Sequence, residues 1–147
     1  MRGIVFGESP RWRDERLWFS DWGAGRVFSL AVDGSSPTVE AEVASFPMCI
    51  DFLPDGRLLV VSSADRQVLR REPDGSLVLH ADLAPVSTKP WNDVVVDARG
   101  SAYVKSIGFD FPGEEPAPGL VVLVRPGRRA AAGSRGPRRG ARGRGRG

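Results

Sequence analysis

The 147-residue chain has an ordinary globular composition, 41% hydrophobic and 27% charged, and its length suits one domain. Its formal charge of +3 is uneven, because residues 1–126 hold all 18 acidic but only 13 of the 21 basic residues, a net charge of −5. The acidic body argues against nucleic-acid binding there, and the single cysteine, Cys49, excludes an intrachain disulfide or a cysteine-based metal cluster.

The N-terminus predicts neither a signal peptide nor a membrane span. The apolar run at residues 4–6 is too short for either, and no other stretch approaches the length of a membrane span. A lone cysteine suits a reducing compartment. We therefore expect a cytoplasmic protein without a membrane partner.

A strand–turn–strand unit occurs three times along the chain. Leu17, Leu58 and Ala102 occupy matching places in the three units, so the spacings are 41 and 44 residues. Asp-Gly turns at residues 33–34 and 74–75 then separate a third predicted strand from a fourth. This period is typical of four-stranded propeller blades, and no segment sustains a helical period. The sequence predicts an all-β partial β-propeller of about three blades.

The third unit departs from this pattern after its third predicted strand. That strand, residues 120–124, is followed by no Asp-Gly turn and no fourth strand. Residues 127–147 instead comprise eight Arg, seven Gly, four Ala, one Pro and one Ser, with no large apolar side chain to offset the entropy of ordering. We therefore predict the N-terminal half of a propeller at 1–126 and a disordered Arg/Gly-rich tail at 127–147.

Two interpretations of this tail remain open. In the first interpretation the tail is a nucleic-acid-binding arm, since residues 142–147 alternate Arg with Gly and would neutralise phosphates. Alternatively, it is a frameshift product, because GC-rich DNA read in the wrong frame yields Arg, Gly, Ala and Pro. The change of composition falls inside an expected hairpin rather than at a domain boundary, which favours the frameshift.

Four motifs resemble those of a known family. They are Gly7-Glu8-Ser9-Pro10-x-Trp12, the run at residues 17–21, Trp91-Asn92-Asp93, and Val96-Asp97-x-x-Gly100-x-Ala102-Tyr103. Over residues 4–126 the chain resembles the senescence-marker-protein/gluconolactonase family, which includes regucalcin and luciferin-regenerating enzyme. The resemblance implies a six-bladed propeller that hydrolyses a lactone or related ester.

The resemblance also implies a metal site. In that family a Glu of the first blade, an Asn and an Asp hold an axial divalent metal, and Glu8 matches the first of these ligands. Oxygen ligands suit Ca²⁺, Mg²⁺ or Mn²⁺, with Zn²⁺ as an alternative. The other two ligands belong to blades that follow the third, so we expect this chain alone to lack the metal centre and to be inactive. Its catalytic residues are unknown.

Asn92 matches a family residue that contacts the substrate or a second ion. Without the resemblance, an Asx turn explains Asn92 at least as well, and Glu8 is a solvated turn carboxylate rather than a ligand. The family's basic residue before this Asn is replaced by the Pro90-Trp91 context, which favours a lactone less like a sugar. Asp55 and Asp74 lie where the repeat requires outer turns, so neither fills the gap in the metal site.

Other residues are assigned structural positions. His80, the sole histidine, lies near the end of a predicted outer strand and does not suit a Ser-His-Asp mechanism. A longer insertion begins at Gly108. Four aromatic residues are expected to pack between blades: Trp12, Trp18, Phe19 and Phe28.

The partners follow from these assignments. A small-molecule lactone is the expected substrate, and the exposed strand edge of the last blade predicts self-association. The alternative function is a non-enzymatic propeller that binds a protein, with a basic tail that binds nucleic acid.

Overall fold

The computed structural model describes residues 2–127, which form eleven β-strands in three antiparallel sheets and no helix. The all-β partial propeller is confirmed. The first and second sheets have four strands each, and the third sheet has three. The predicted tail lies outside the described residues from position 128 onward. The strands are β1 (Gly7–Arg13), β2 (Arg16–Asp21), β3 (Arg26–Ala31), β4 (Thr38–Glu42), β5 (Pro47–Phe52), β6 (Leu58–Ser62), β7 (Gln67–Arg71), β8 (Leu77–Asp82), β9 (Trp91–Val96), β10 (Ala102–Ser106) and β11 (Leu120–Val124).

Each sheet runs outward in chain order, from β1 to β4, from β5 to β8 and from β9 to β11. The inner strands β1 and β9 both contact β5, which stands between them. The Ser9 hydroxyl bonds to the backbone of Ile50 and Arg11 pairs with Asp51, so β1 and β5 run in the same direction. The Val96 N–H donates to the Asp51 carboxylate and joins β9 to β5. We call the end at which β1, β5 and β9 begin the upper end.

Two apolar cores join the three sheets. The core between the first and second sheets is smaller than the one between the second and third. Both use alternate residues of β6, because strand side chains point to opposite faces of a sheet. The smaller core contains Val27, Ala41, Val43, Ile50, Leu58 and Val60, and the larger contains Cys49, Leu53, Leu59, Val61, Val68, Ala81, Leu83, Trp91, Val94, Ala102, Val104, Val122 and Val124.

Burial shows which faces of the sheets are covered. Every residue of β6 is buried, because the second sheet has a neighbour on each face. Strand β10 instead alternates strictly between buried and exposed residues. Its exposed Tyr103 lies between Val95 and Leu123 in the strand register, and all three are exposed to solvent. Among the described residues, the outer face of the third sheet is therefore uncovered and apolar.

The turns at the lower end follow the sequence prediction. Asp55, Asp74 and Asp97 each accept a hydrogen bond from the backbone N–H two residues later, at 2.9 to 3.1 Å. The glycines that follow Asp55 and Asp74 have positive φ, a conformation that glycine adopts without steric cost. These carboxylates are used by their own turns, as expected for outer turns.

Of the four aromatic residues expected to pack between blades, only Trp18 does so among residues 2–127. Trp12 is 60% exposed, since no described sheet covers the face of the first sheet on which it lies. Trp18 does pack between blades, with its ring edge-on to Phe52 of the second sheet at 5.1 Å. The Phe19 and Phe28 rings stack on each other within the first sheet. No helix long and apolar enough to cross a membrane occurs in residues 2–127.

Candidate functional site

All three inner strands have a bulge near the upper end. The strand register shifts between Glu8 and Arg11 in β1 and between Pro47 and Cys49 in β5. In β9 the extra, unpaired residue is Asn92 itself. A β-bulge redirects side chains locally and is common beside active sites. The two residues selected from the sequence, Glu8 and Asn92, therefore lie at corresponding irregular positions of two inner strands.

The backbone around Glu8 is fixed by two serine hydroxyls. Ser20 Oγ, which is fully buried, lies 3.2 Å from the Glu8 carbonyl oxygen and 3.1 Å from that of Met48. Ser9 Oγ donates to the Ile50 carbonyl oxygen and accepts from the Ile50 N–H, both at 3.0 Å. Glu8 itself is exposed in a strand, and no ion pair among the described residues uses its carboxylate. A free carboxylate is thus presented from a rigid backbone.

The inner strands carry an acidic group of side chains around Cys49. Burial raises the pKa of the Cys49 thiol well above its usual range; the carboxylates of Asp93, Asp51 and Glu8 raise this pKa further, whereas Arg11 lowers it. The three carboxylates come from three different inner strands. The side chains of Glu8, Asp51 and Asp93 thus lie near one buried thiol, and Asp51 is paired with Arg11.

Asn92 has an unusual environment for a polar side chain. Its Oδ1 atom is buried and has no hydrogen-bond partner among the described residues. An unpaired buried acceptor costs about 1–3 kcal/mol and calls for an explanation such as a missing ligand. The Asx-turn alternative does not hold for Asn92. In an Asx turn the Oδ1 atom accepts a hydrogen bond from a backbone N–H, and Asn92 Oδ1 accepts none among the described residues. Asp93 makes a local bond instead, from the Val94 N–H to Asp93 Oδ1 at 2.9 Å.

The described residues do not form a complete metal centre. Within residues 2–127 no three His, Cys, Asp or Glu side chains come together in a group that could hold a metal ion. Glu8 and Asn92 offer oxygen atoms of the kind that hard cations bind, but two such residues do not make up a set of six or more ligands. Glu8 and Asn92 are thus a partial donor set within residues 2–127.

His80 lies away from this region, in the outer strand β8 of the second sheet. Its Nε2 atom is buried without a partner among residues 2–127. Burial lowers the pKa of His80, and the nearby Arg70 and Arg57 lower it further. The histidine is therefore neutral at pH 7 and is not part of the candidate site.

Two features near the site were not identified from the sequence as functional. Arg11 and Asp51 pair across the inner strands, and only the unusual Asp in an apolar strand could have indicated this. The insertion that begins at Gly108 was foreseen, but its anchor was not. Lys89 Nζ holds this loop through Asp110 Oδ2 at 2.9 Å and Glu114 Oε2 at 2.5 Å, on the upper side of the third sheet.

Comparisons with known proteins agree with this fold. The model of the SMP-30/gluconolactonase/LRE-like family matches residues 6–133. A gluconolactonase from Xanthomonas campestris is 21% identical, with a TM-score of 0.67 over 82% of this chain and 44% of its own. A putative gluconolactonase is 24% identical, with a TM-score of 0.64 over 84% of this chain and 47% of its own. A calcium-binding regucalcin from Agrobacterium tumefaciens is 18% identical, with a TM-score of 0.63 over 82% of this chain and 40% of its own.

These structural matches establish the fold alone, because all three identities are below 25%. The chain spans less than half the length of each of the three structures. No curated protein matches it significantly in sequence.

Proposed function

The chain belongs to the SMP-30/gluconolactonase/LRE-like family, and from this premise we propose that it forms part of a divalent-metal-dependent hydrolase that opens a lactone or a related ester. In this proposal residues 1–126 are the N-terminal half of the propeller. Glu8 is one metal ligand, and Asn92 contacts the substrate. The family match supports the reaction class, and the geometry at the upper end supports the two residues.

The observation that carries the proposal is the unpaired Oδ1 atom of Asn92 at the bulge in β9. A buried carbonyl oxygen without a donor is destabilising, so its presence favours a role in binding. It can accept a hydrogen bond from a hydroxyl or a water molecule, or it can coordinate a cation. Glu8, at the corresponding bulge in β1, adds a charged oxygen donor.

The tasks of these residues are binding and orientation. Ser9 and Ser20 hold the Glu8 backbone against the inner strand of the second sheet, so the carboxylate approaches a ligand without reordering its main chain. A divalent metal in such hydrolases polarises a carbonyl and lowers the pKa of a bound water. Because the donor set within residues 2–127 is incomplete, no reaction step is assigned to the metal in this chain.

We further propose that this chain alone is inactive, and an assay of the purified 147-residue chain tests that inactivity. We expect no hydrolysis of glucono-1,5-lactone or of an aromatic lactone above the buffer rate, with Ca²⁺, Mg²⁺, Mn²⁺ or Zn²⁺ present. Isothermal titration is expected to show at most weak binding of these ions. Metal-dependent turnover that disappears in Glu8→Gln would contradict the proposed inactivity, because it would require a complete centre in this chain.

A further inference from the structure

Three aromatic side chains form an exposed cluster at the upper end, and we call Phe6, Trp22 and Phe46 the aromatic shelf. The rings of Phe6 and Trp22 stack with centroids 4.5 Å apart. The rings of Trp22 and Phe46 meet edge to face at 5.9 Å. Phe6 is 55% exposed and Phe46 is 49% exposed, so the shelf presents a broad apolar surface to solvent.

The shelf lies beside Glu8. The Trp22 N–H donates to the Phe6 carbonyl oxygen at 3.1 Å, which extends the β1–β2 ladder by one pair beyond Gly7 and Asp21. Phe6 precedes β1 and lies two residues before Glu8, so their Cα atoms are at most about 7 Å apart along the chain. Phe46 joins them from the connection between β4 and β5.

The shelf is rigid because a buried carboxylate anchors it. Asp21, which is 1% exposed, accepts hydrogen bonds from the N–H groups of Val5 and Phe6, both at 2.9 Å. Burial would raise the pKa of Asp21, but the N–H donors, with Phe6 first among them, hold that pKa below its ordinary value. At Gly23, a Cβ atom would lie 2.6 Å from Val5 Cγ1, so only glycine allows this close approach. A buried charge thus fixes apolar rings at the surface, where the hydrophobic effect alone would not hold them.

The location separates the shelf from the other apolar surface. The uncovered face of the third sheet, with Val95 and Tyr103, has no described sheet beside it. The shelf instead lies where the first and second sheets meet, and both of these are complete within the chain.

We infer that the aromatic shelf binds the flat apolar part of the substrate, so that the enzyme's substrate is an aromatic or similarly planar lactone or ester. This inference rests on the proposed function, because Glu8 marks the reacting end of the site. A planar ring on the shelf gains offset or edge-to-face contacts with Phe6 and Phe46, each worth about three- to ten-fold in affinity. Pro90 and Trp91, which precede Asn92, supply no charged group for sugar hydroxyls.

Ligand-observed NMR tests this inference on the full chain without metal or turnover. The probes are coumarin, a flat aromatic lactone, and glucono-1,5-lactone, a sugar lactone. We expect coumarin to bind more tightly than the sugar lactone. Phe6→Ala and Phe46→Leu should each weaken coumarin binding about three- to ten-fold, in line with the loss of one aromatic contact. Phe46→Leu keeps an apolar side chain, and near-UV circular dichroism checks that both variants fold.

Trp12→Ala is the matched control, since Trp12 is an equally exposed aromatic residue at the lower end of the first sheet. Its coumarin affinity should equal that of the unmodified chain. The inference is overturned if coumarin does not bind, if the sugar lactone binds as tightly, or if Trp12→Ala weakens binding as much as Phe6→Ala. Absence of hydrolysis has no bearing on these results, so failure of the proposed reaction and failure of the shelf are separate outcomes.

Discussion

Arg11 of the first sheet and Asp51 of the second form an ion pair that also reaches the third sheet. Arg11 Nε lies 3.4 Å from Asp51 Oδ1, and the Val96 N–H of β9 donates to Asp51 Oδ2 at 2.7 Å. A second guanidinium nitrogen of Arg11 donates to the Val94 carbonyl oxygen at 3.3 Å. One carboxylate therefore links all three inner strands just below the bulges that carry Glu8 and Asn92.

Asp51→Ala should destabilise the described fold. The substitution leaves the partly buried Val96 N–H without its acceptor and removes the partner of Arg11 Nε, which costs about 1–3 kcal/mol. Urea denaturation measures the difference. Glu42→Ala is the control, because Glu42 pairs with Arg26 on the exposed surface and should change stability by less than about 0.5 kcal/mol. Equal effects of the two variants would show that Asp51 does not link the sheets.

Asn92→Leu should leave stability unchanged or raise it. The substitution replaces a polar side chain whose Oδ1 atom is buried and unpaired by an apolar one of similar size. Removing an unsatisfied buried group relieves a desolvation cost of about 1–3 kcal/mol, part of which the new side chain can recover. Thermal unfolding measures the change. A loss of more than about 1 kcal/mol would instead indicate that Asn92 is structural.

The stability of the chain should fall as the pH drops below 6.5. His80 has a pKa below its ordinary value of 6.5 in the folded chain, because burial and then Arg70 and Arg57 disfavour its charged form. The unfolded chain therefore takes up a proton first, and stability that is complete above pH 6.5 is lost as the pH falls toward the folded pKa. Urea titrations from pH 8 to pH 5 should show this slope, and His80→Gln should remove it. A slope that persists in the variant would assign it to other groups.

The 147-residue chain should self-associate through the uncovered face of its third sheet. Val95, Tyr103 and Leu123 form one exposed apolar row across the three strands. Val95→Lys places a charge in that row and should shift the sedimentation profile toward monomer. Val32→Lys is the control, because Val32 is 81% exposed in a turn and away from the row. A monomeric chain at high concentration, or an equal effect of Val32→Lys, would refute this surface.

The sequence predicted the elements that depend on local chemistry. The Asp-Gly turns could be predicted because all of their determinants lie within four consecutive residues. These determinants are an Asp that accepts a hydrogen bond from its own turn and a glycine with positive φ. The repeat of 41 and 44 residues located the blades, and the Glu8 motif identified the family. These features do not require knowledge of what packs against them.

The contacts between sheets were not predictable in the same way. Burial of Trp12 was expected from its aromatic character, but burial also requires a neighbouring sheet, and none lies on that face among residues 2–127. The link through Asp51 joins residues 40 and 45 positions away, and the stacking of Phe6 on Trp22 depends on how the N-terminal segment lies over a turn. No local pattern records such pairings.

The most direct test of the account is whether Glu8 acts as a metal ligand once the remaining blades are supplied. Residues 6–127 would be fused to the part of the Xanthomonas campestris gluconolactonase that follows its matching blades, and lactone hydrolysis would be measured with and without added metal. We predict metal-dependent hydrolysis that Glu8→Gln abolishes and that Glu15→Gln, in an exposed turn of the same sheet, leaves intact. Hydrolysis that survives Glu8→Gln at full rate would contradict the assignment of Glu8 as a ligand.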